Sequence, residues 1–294
     1  MTSIKEYAYA KINLYLDVLS RREDGFHDIK TVMHTVSLAD EITVSVKPSR
    51  QREIRMYLVG NNKLPQDSRN LAYRAAELFM DATLVTADVT VRLDKRIPVA
   101  AGLAGGSADA AAVLHAMNRL FKKPLTDKRL LELAAELGSD VPFCLLGGTA
   151  LCLGRGERIT RLPSTLSLHT VIAVADEHVS TPSAYAALDD IYANFVGDRD
   201  DSPEQNYEAL ASALQSGKLS DTPLYNIFEN AVFKTCFGAE KLKSRLKDLG
   251  ATHTLMSGSG PSVFGIFSTR EGAIAARDSL LTSGVKAYYA VSTR

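Results

Sequence analysis

Neither sign of charge is in excess: 34 Lys and Arg balance 34 Asp and Glu in 294 residues. A neutral chain has no overall field to draw nucleic acid or an anionic membrane surface, so neither partner is expected and an anionic ligand must be held by local groups. Cysteine is scarce too. Cys144, Cys152 and Cys236 are odd in number, form no CxxC pair and sit in apolar or mixed segments, which fits free buried thiols in a reducing compartment. No run of about 18 apolar residues is present to span a bilayer. Glu6 and Lys11 interrupt the first residues, so no secretory signal is expected and the expected location is cytoplasmic. The GxxxxGK[ST] of a P-loop and the full GxGxxG of a dinucleotide site are both missing.

What the chain does have is the small-residue run Pro98-Val99-Ala100-Ala101-Gly102-Leu103-Ala104-Gly105-Gly106-Ser107-Ala108-Asp109-Ala110-Ala111-Ala112. Before it, Val89 to Leu93 alternates apolar and polar positions, as a half-buried strand does. After it, Ala112, Leu114, Met117, Leu120 and Phe121 recur at helical spacing, which predicts a helix from Ala110 to Phe121. Strand, glycine loop and helix present unpaired N–H groups and a positive dipole end to a phosphate, and Gly and Ala let the backbone come close. By itself the run fits either a phosphate cradle or a tight turn with close helix contact.

Elsewhere, strands are expected over Ile12–Val18 and Glu41–Val46, with an Asp-Gly turn and two ring side chains at Arg21–His27 between them. A helix is expected over Leu71–Met80, capped by Asp67 or Ser68, and another over Leu130–Leu137, ended by Gly138. Ser139-Asp140-Val141-Pro142 looks like a further helix start. Ala150–Leu153 pairs with Arg158–Leu162, Val171–Val174 is a buried strand, and Gly197–Ser202 is a polar loop. Met256–Ser262 reads as a turn between two short strands, followed by a helix at Glu271–Leu281 and a strand at Ala287–Val291. The pattern is α+β in two lobes, without internal repeats or a long linker.

Three segments together resemble the GHMP small-molecule kinase superfamily: Tyr9-Ala10-Lys11-Ile12-Asn13-Leu14, the 98–112 loop, and Ser257-Gly258-Ser259-Gly260. Arg22-Glu23-Asp24-Gly25-Phe26-His27 and Leu137-Gly138-Ser139-Asp140-Val141-Pro142-Phe143 narrow the resemblance to members acting on a cytidine-diphosphate-linked polyol. The matches keep the family's order and span residues 9 to about 267. The resemblance implies a two-lobed α+β fold, with an N-terminal nucleotide-binding domain over 1–155 and a C-terminal α/β domain over 156–294. It also implies ATP as phosphoryl donor, Mg²⁺ with the ATP, and a monomer or homodimer.

Phosphoryl transfer requires a positioned donor, neutralised charge on the moving group and an acceptor for the hydroxyl proton. The resemblance puts Asp140 in the role of base and Lys11 beside it as charge partner. On residue type alone, Asp140 equally fits a first-turn acid beside a Ser139 cap, and Lys11 a strand lysine snorkelling to water. ATP contacts are implied at Pro98 and along Ala100-Ala101-Gly102-Leu103-Ala104-Gly105-Gly106-Ser107. Acceptor contacts are implied at Asn13, Thr181, Gly258 and Ser259, and at the ring residues Phe26, His27 and Tyr185. A cytidine base has a π face and a hydrogen-bonding edge, which calls for that mixture, although His27 also fits an ordinary surface turn. Ala104 stands where the family often has Gly and Ala108 where it has a second Ser. Ser107 is left to cap the helix or reach phosphate or metal, and no protein residue is assigned to Mg²⁺, which phosphates and water would mainly hold. Mevalonate-type or amino-alcohol kinases and a non-catalytic nucleotide-binding relative are the competing readings. The glycine spacing at Gly102, Gly105 and Gly106 argues against a dinucleotide oxidoreductase.

Overall fold

Strand alternation persists well beyond the short segments expected from the sequence: β1 covers Thr2–Arg21 and β2 His27–Pro48. The computed structural model describes residues 1–60, 63–192, 204–219 and 222–293, so the polar loop expected at Gly197–Ser202 lies outside the described residues. Contacts divide the chain into two units that are not halves of the sequence. The first holds Met1–Ala10, Ala39–Val99 and Ala104–Leu146; the second holds Lys11–Leu38, Ala100–Leu103 and Gly147–Arg294.

In the first unit, β3 (Glu53–Val59) is followed by α1 (Leu71–Thr83) and β4 (Ala87–Asp94). β4 pairs antiparallel with β2, Ile42 opposite Leu93, and parallel with β3, Ile54 opposite Val89. The period-2 pattern is realised: Val89, Val91 and Leu93 point into a core with Val44, Phe79, Met80, Leu114 and Met117. α1 is capped by Asn70, not by Asp67 or Ser68; the Asn70 side chain accepts from Ala72 N at 3.0 Å, while Asp67 is taken up by the backbone and guanidinium of Arg69.

α2 runs from Gly105 to Leu120, starting at Gly105 rather than the expected Ala110. Two glycines of low helix propensity hid the first turn from the sequence pattern. Ala104 precedes it in the left-handed region at φ +56°, and the ladder begins with Ala108 N donating to Ala104 O. Ser107 is therefore inside the helix and caps nothing. Ala108, Ala110 and Ala111 of α2 are buried, and α2 packs on α1, α3 and α4. α3 (Asp127–Leu137) is capped by Thr126 and closes at Gly138, and the short α4 (Val141–Leu146) follows Asp140.

In the second unit, β5 (Thr149–Gly154) pairs antiparallel with β2, Val32 opposite Leu151, and with β6 (Arg158–Arg161). After β7 (His169–Val174) come α5 (Thr181–Tyr192), α6 (Glu204–Ser216), the two-residue β8 (Tyr225–Asn226), α7 (Glu229–Val232) and α8 (Phe237–Asp248). β8 lies parallel to β1, Tyr225 opposite Tyr15. β9 (His253–Met256), β10 (Ser262–Phe267), α9 (Arg270–Thr282) and β11 (Lys286–Val291) complete the described chain. An antiparallel sheet of order β11-β7-β10-β9 packs its Val171, Ala173, Val263 and Phe267 with Leu242 and Leu246 of α8 and Ala276 and Leu280 of α9. None of the three cysteines forms a disulfide among the described residues; Cys152 and Cys236 are buried and Cys144 is partly so.

Candidate active site

Four of the second-unit residues expected at the site, Asn13, Gly102, Leu103 and Gly258, gather around Lys11. Its side chain does not snorkel: Lys11 is 4% exposed. The strand carries it inward, and Nζ donates to Asn13 Oδ1 at 2.7 Å and to the Gly102 carbonyl at 2.9 Å. Lys11 N also donates to Leu103 O, tying the 100–103 segment to β1. Asn13 Oδ1 accepts a second bond from Gly258 N at 3.0 Å, and Asn13 Nδ2 donates to Thr31 Oγ1 at 2.8 Å. Ser257 Oγ donates to the same Gly102 carbonyl at 3.0 Å.

Two glycine turns thus interlock on one lysine and one asparagine. A Cβ on Gly102, whose φ is +76°, would stand 2.0 Å from Ser257 O. A Cβ on Gly258, at φ +57°, would stand 3.0 Å from Gly102 O and 3.3 Å from Lys11 Nζ. Only glycine allows that approach with that backbone. The 257–260 turn is held from behind by Asn226, whose Nδ2 donates to Met256 O and Gly258 O at 2.7 and 2.8 Å. Glu229 Oε1 accepts from Met256 N at 2.9 Å. Nothing local in the sequence marks Thr31, Asn226 or Glu229 for this supporting role; for Asn226 the one available signal is a buried polar residue next to buried Ile227 and Phe228.

The ring residues separate into two places in this unit. His27 stacks on Tyr185 with ring centroids 4.6 Å apart and 19° between planes, and Tyr185 meets Phe228 edge-on at 4.9 Å. His27 Nε2 lies 2.7 Å from Asp189 Oδ1. Phe26, half exposed, lies under the Arg155 guanidinium at 3.8 Å. Thr181, at the start of α5, shares a hydrogen bond of 2.9 Å with Ser259.

In the first unit, Pro98 closes the run after β4, and Gly105, Gly106 and Ser107 form the first turn of α2. Its two glycines differ. A Cβ on Gly105 would meet Lys95 Nζ at 2.9 Å and Ile97 Cγ2 at 3.0 Å, whereas one on Gly106 would meet only Leu71 at 3.7 Å, an ordinary contact. Asp140 is half-buried just before α4, where its main-chain oxygen accepts from Cys144 N. Its carboxylate has no hydrogen-bond or ion-pair partner among the described residues, and neither does the Ser107 hydroxyl.

Below this turn lie three buried ionisable side chains that no local sequence pattern marks. Lys95 Nζ donates to Asp40 Oδ2 and to Asp109 Oδ2, the latter at 2.7 Å. Burial, reinforced by the Asp40 charge and partly offset by Lys95, pushes the Asp109 carboxyl up to about 8. No cluster of three or more His, Cys, Asp or Glu side chains able to hold a metal occurs among the described residues.

Residues 70–148 match the GHMP kinases N terminal domain, and residues 199–286 match the GHMP kinases C terminal domain. A 4-diphosphocytidyl-2-C-methyl-D-erythritol kinase of Caldicellulosiruptor bescii is 40% identical over 279 residues, 94% of each chain. One of Bacillus cereus is 42% identical over 262 residues, 88% of this chain and 86% of its own. A crystal structure of 4-(cytidine 5'-diphospho)-2C-methyl-D-erythritol kinase superposes with TM-score 0.82 at 34% identity, covering 99% of this chain and all of that one. A homoserine kinase from Cytophaga hutchinsonii superposes at 0.74 with 22% identity, over 100% of this chain and 95% of its own, a likeness of fold alone.

Proposed function

The chain belongs to the GHMP kinase family and is an ATP-dependent small-molecule kinase, and from that premise we propose that it phosphorylates the 2-hydroxyl of 4-diphosphocytidyl-2-C-methyl-D-erythritol in isoprenoid precursor synthesis by the non-mevalonate route. The names and identities of its relatives support the substrate. The observation that carries the chemistry is Lys11, a buried ammonium whose own hydrogen bonds end on neutral oxygens. Such a cation keeps its charge for an anion.

The acceptor oxygen attacks the γ-phosphorus of ATP; an O–P bond forms, the bond from γ-phosphorus to the β,γ-bridging oxygen breaks, and ADP leaves. Asp140, with no partner to neutralise it, takes the hydroxyl proton as base, and Lys11 stabilises charge on the acceptor oxygen. Pro98, the 100–107 segment and the first N–H groups of α2 cradle the phosphates. Asn13, Gly258, Ser259 and Thr181 line the acceptor side, and His27, Tyr185 and Phe26 receive the cytidine by ring faces and hydrogen-bonding edges. Mg²⁺, when bound, would neutralise phosphate charge; the nucleotide phosphates and water would be its main ligands, with the Ser107 hydroxyl in the first turn of α2 available beside them. We assign residues 1–155 to the ATP-binding domain and 156–294 to the second domain, and the family matches at 70–148 and 199–286 fall on either side of that boundary.

The test is ATP consumption with the cytidine-diphosphate polyol beside mevalonate, homoserine and galactose. Turnover confined to the first supports the reading. Equal kcat/KM with and without the cytidine overturns the role given to the ring residues.

A further inference from the structure

Lys95 is the first residue after β4, where the small-residue loop begins, and Asp109 sits on α2, where the loop has ended. Asp40, on β2, holds the chain between them: its Oδ1 accepts from Arg96 N and, at 2.7 Å, from Ile97 N. Its Oδ2 accepts from Lys95 Nζ, which also reaches Asp109. The side chains of Lys95, Asp40 and Asp109 are 5%, 0% and 3% exposed, so none is available to touch a ligand directly. Gly105 packs on this cluster so closely that a methyl there would strike Lys95 Nζ and Ile97.

Resting on the reading of residues 98–107 as the ATP phosphate loop, we propose that Asp40, Lys95 and Asp109 form a buried clamp that fixes both ends of the loop and so presets it for the triphosphate. They are positioning residues, acting through Ile97, Pro98 and Gly105. The two aspartates are unequal. Two ionised carboxylates on one ammonium would leave a net buried charge, which is costly. Asp40 accepts two backbone N–H groups and the lysine, and is the charged partner. Asp109 Oδ1 is buried with no hydrogen bond, which a neutral acid tolerates better than an anion. Asp109 therefore carries the proton, and the charged groups that act on it are Lys95 and Asp40.

The test uses the full chain and compares Lys95→Met, Asp40→Asn and Asp109→Asn by ATP titration calorimetry and by ATP and acceptor KM. Asn reproduces a neutral acid, so Asp109→Asn should hold ATP affinity near the unmodified value at pH 7. Lys95→Met and Asp40→Asn, where folded, should weaken ATP binding about tenfold or more with acceptor KM unmoved. If those two do not fold, the pH profile decides. The unmodified protein should lose ATP affinity as pH rises through about 8, and Asp109→Asn should flatten that limb. Folded Lys95→Met binding ATP normally, or an alkaline limb unchanged in Asp109→Asn, overturns the clamp. Failure of the kinase reading would look different: the unmodified protein itself would not bind ATP at any pH.

Discussion

Lys11 and Lys95 are both buried lysines, yet their partners differ in kind. Lys95 lies between the ionised carboxylate of Asp40 and the carboxyl group of Asp109, and its charge is met inside the first unit. Lys11, in the second, donates to an amide oxygen and a peptide carbonyl. A buried cation is tolerated only with compensation, so the lysine without a carboxylate in its hydrogen bonds is the one we propose to meet a substrate anion. Burial and residue type do not separate the two roles; the formal charge of the hydrogen-bond partners does.

The largest expected effect tests that contrast. Lys11→Met should cut kcat by roughly 10²–10⁴ while ATP KM changes far less, because its proposed contact is with the acceptor oxygen. Asp140→Asn should fall in the same range, since an unpartnered half-buried carboxylate contributes little to the fold. Single-turnover kinetics on the folded variants check both. A Lys11→Met enzyme that turns over normally once ATP is saturating would make Lys11 a nucleotide ligand instead.

Next come the glycines. Gly102→Ala would put a methyl 2.0 Å from Ser257 O at a φ of +76°, and should destabilise by roughly 2–4 kcal/mol through clash and strain together. Gly106→Ala has room and should gain up to about 1 kcal/mol of helix propensity, yet weaken ATP binding if the phosphates need its bare backbone. Denaturant unfolding alongside ATP titration separates the two. Gly106→Ala with unchanged ATP affinity would move the phosphates away from this turn.

On the acceptor side, Tyr185→Ala should cost about 1–3 kcal/mol of acceptor binding, read as a rise of about tenfold in acceptor KM with ATP KM unmoved. His27→Ala should act in the same direction, because it removes both a ring face and a polar edge. Equal rises in both KM values would make the His27–Tyr185 stack a structural support.

What the sequence made legible and what it hid follow from the range of the interactions. β4, the Gly25 turn, α3's end at Gly138 and the β9–β10 hairpin are set by local alternation and turn chemistry, and the pattern foretold them. The start of α2 was obscured because Gly105 and Gly106 suppress the helical signal where the helix begins. The cap on α1 depended on which of three neighbouring polar residues turned inward, and Asn70 did. Lys11 and Asn13 were singled out through family resemblance; nothing local said that Asn13 would bridge Lys11 and Gly258, 245 positions away. The Asp40–Lys95–Asp109 cluster joins residues 55 and 14 positions apart, so only the packed sheet and helix bring the charges together.

The smallest effect concerns Ala104, which turns the chain into α2 at φ +56°. A left-handed alanine costs roughly 1–2 kcal/mol in steric strain between Cβ and the following carbonyl. Glycine removes that strain but loses about 0.5–1 kcal/mol more conformational entropy on folding. The difference favours glycine, so Ala104→Gly should stabilise by about 0.5–1 kcal/mol, a rise in Tm of about 1–3 °C for a chain this long. The strain persists in the native protein because both ends of the loop are held, Ile97 N by Asp40 and Gly105 against Lys95. That makes the effect conditional. In a Lys95→Met background with the clamp released, the chain can relax around Ala104 and the gain from glycine should shrink. Thermal unfolding of the two single variants and the double variant measures the coupling. Strict additivity would mean that the strain at Ala104 is held by something other than Lys95.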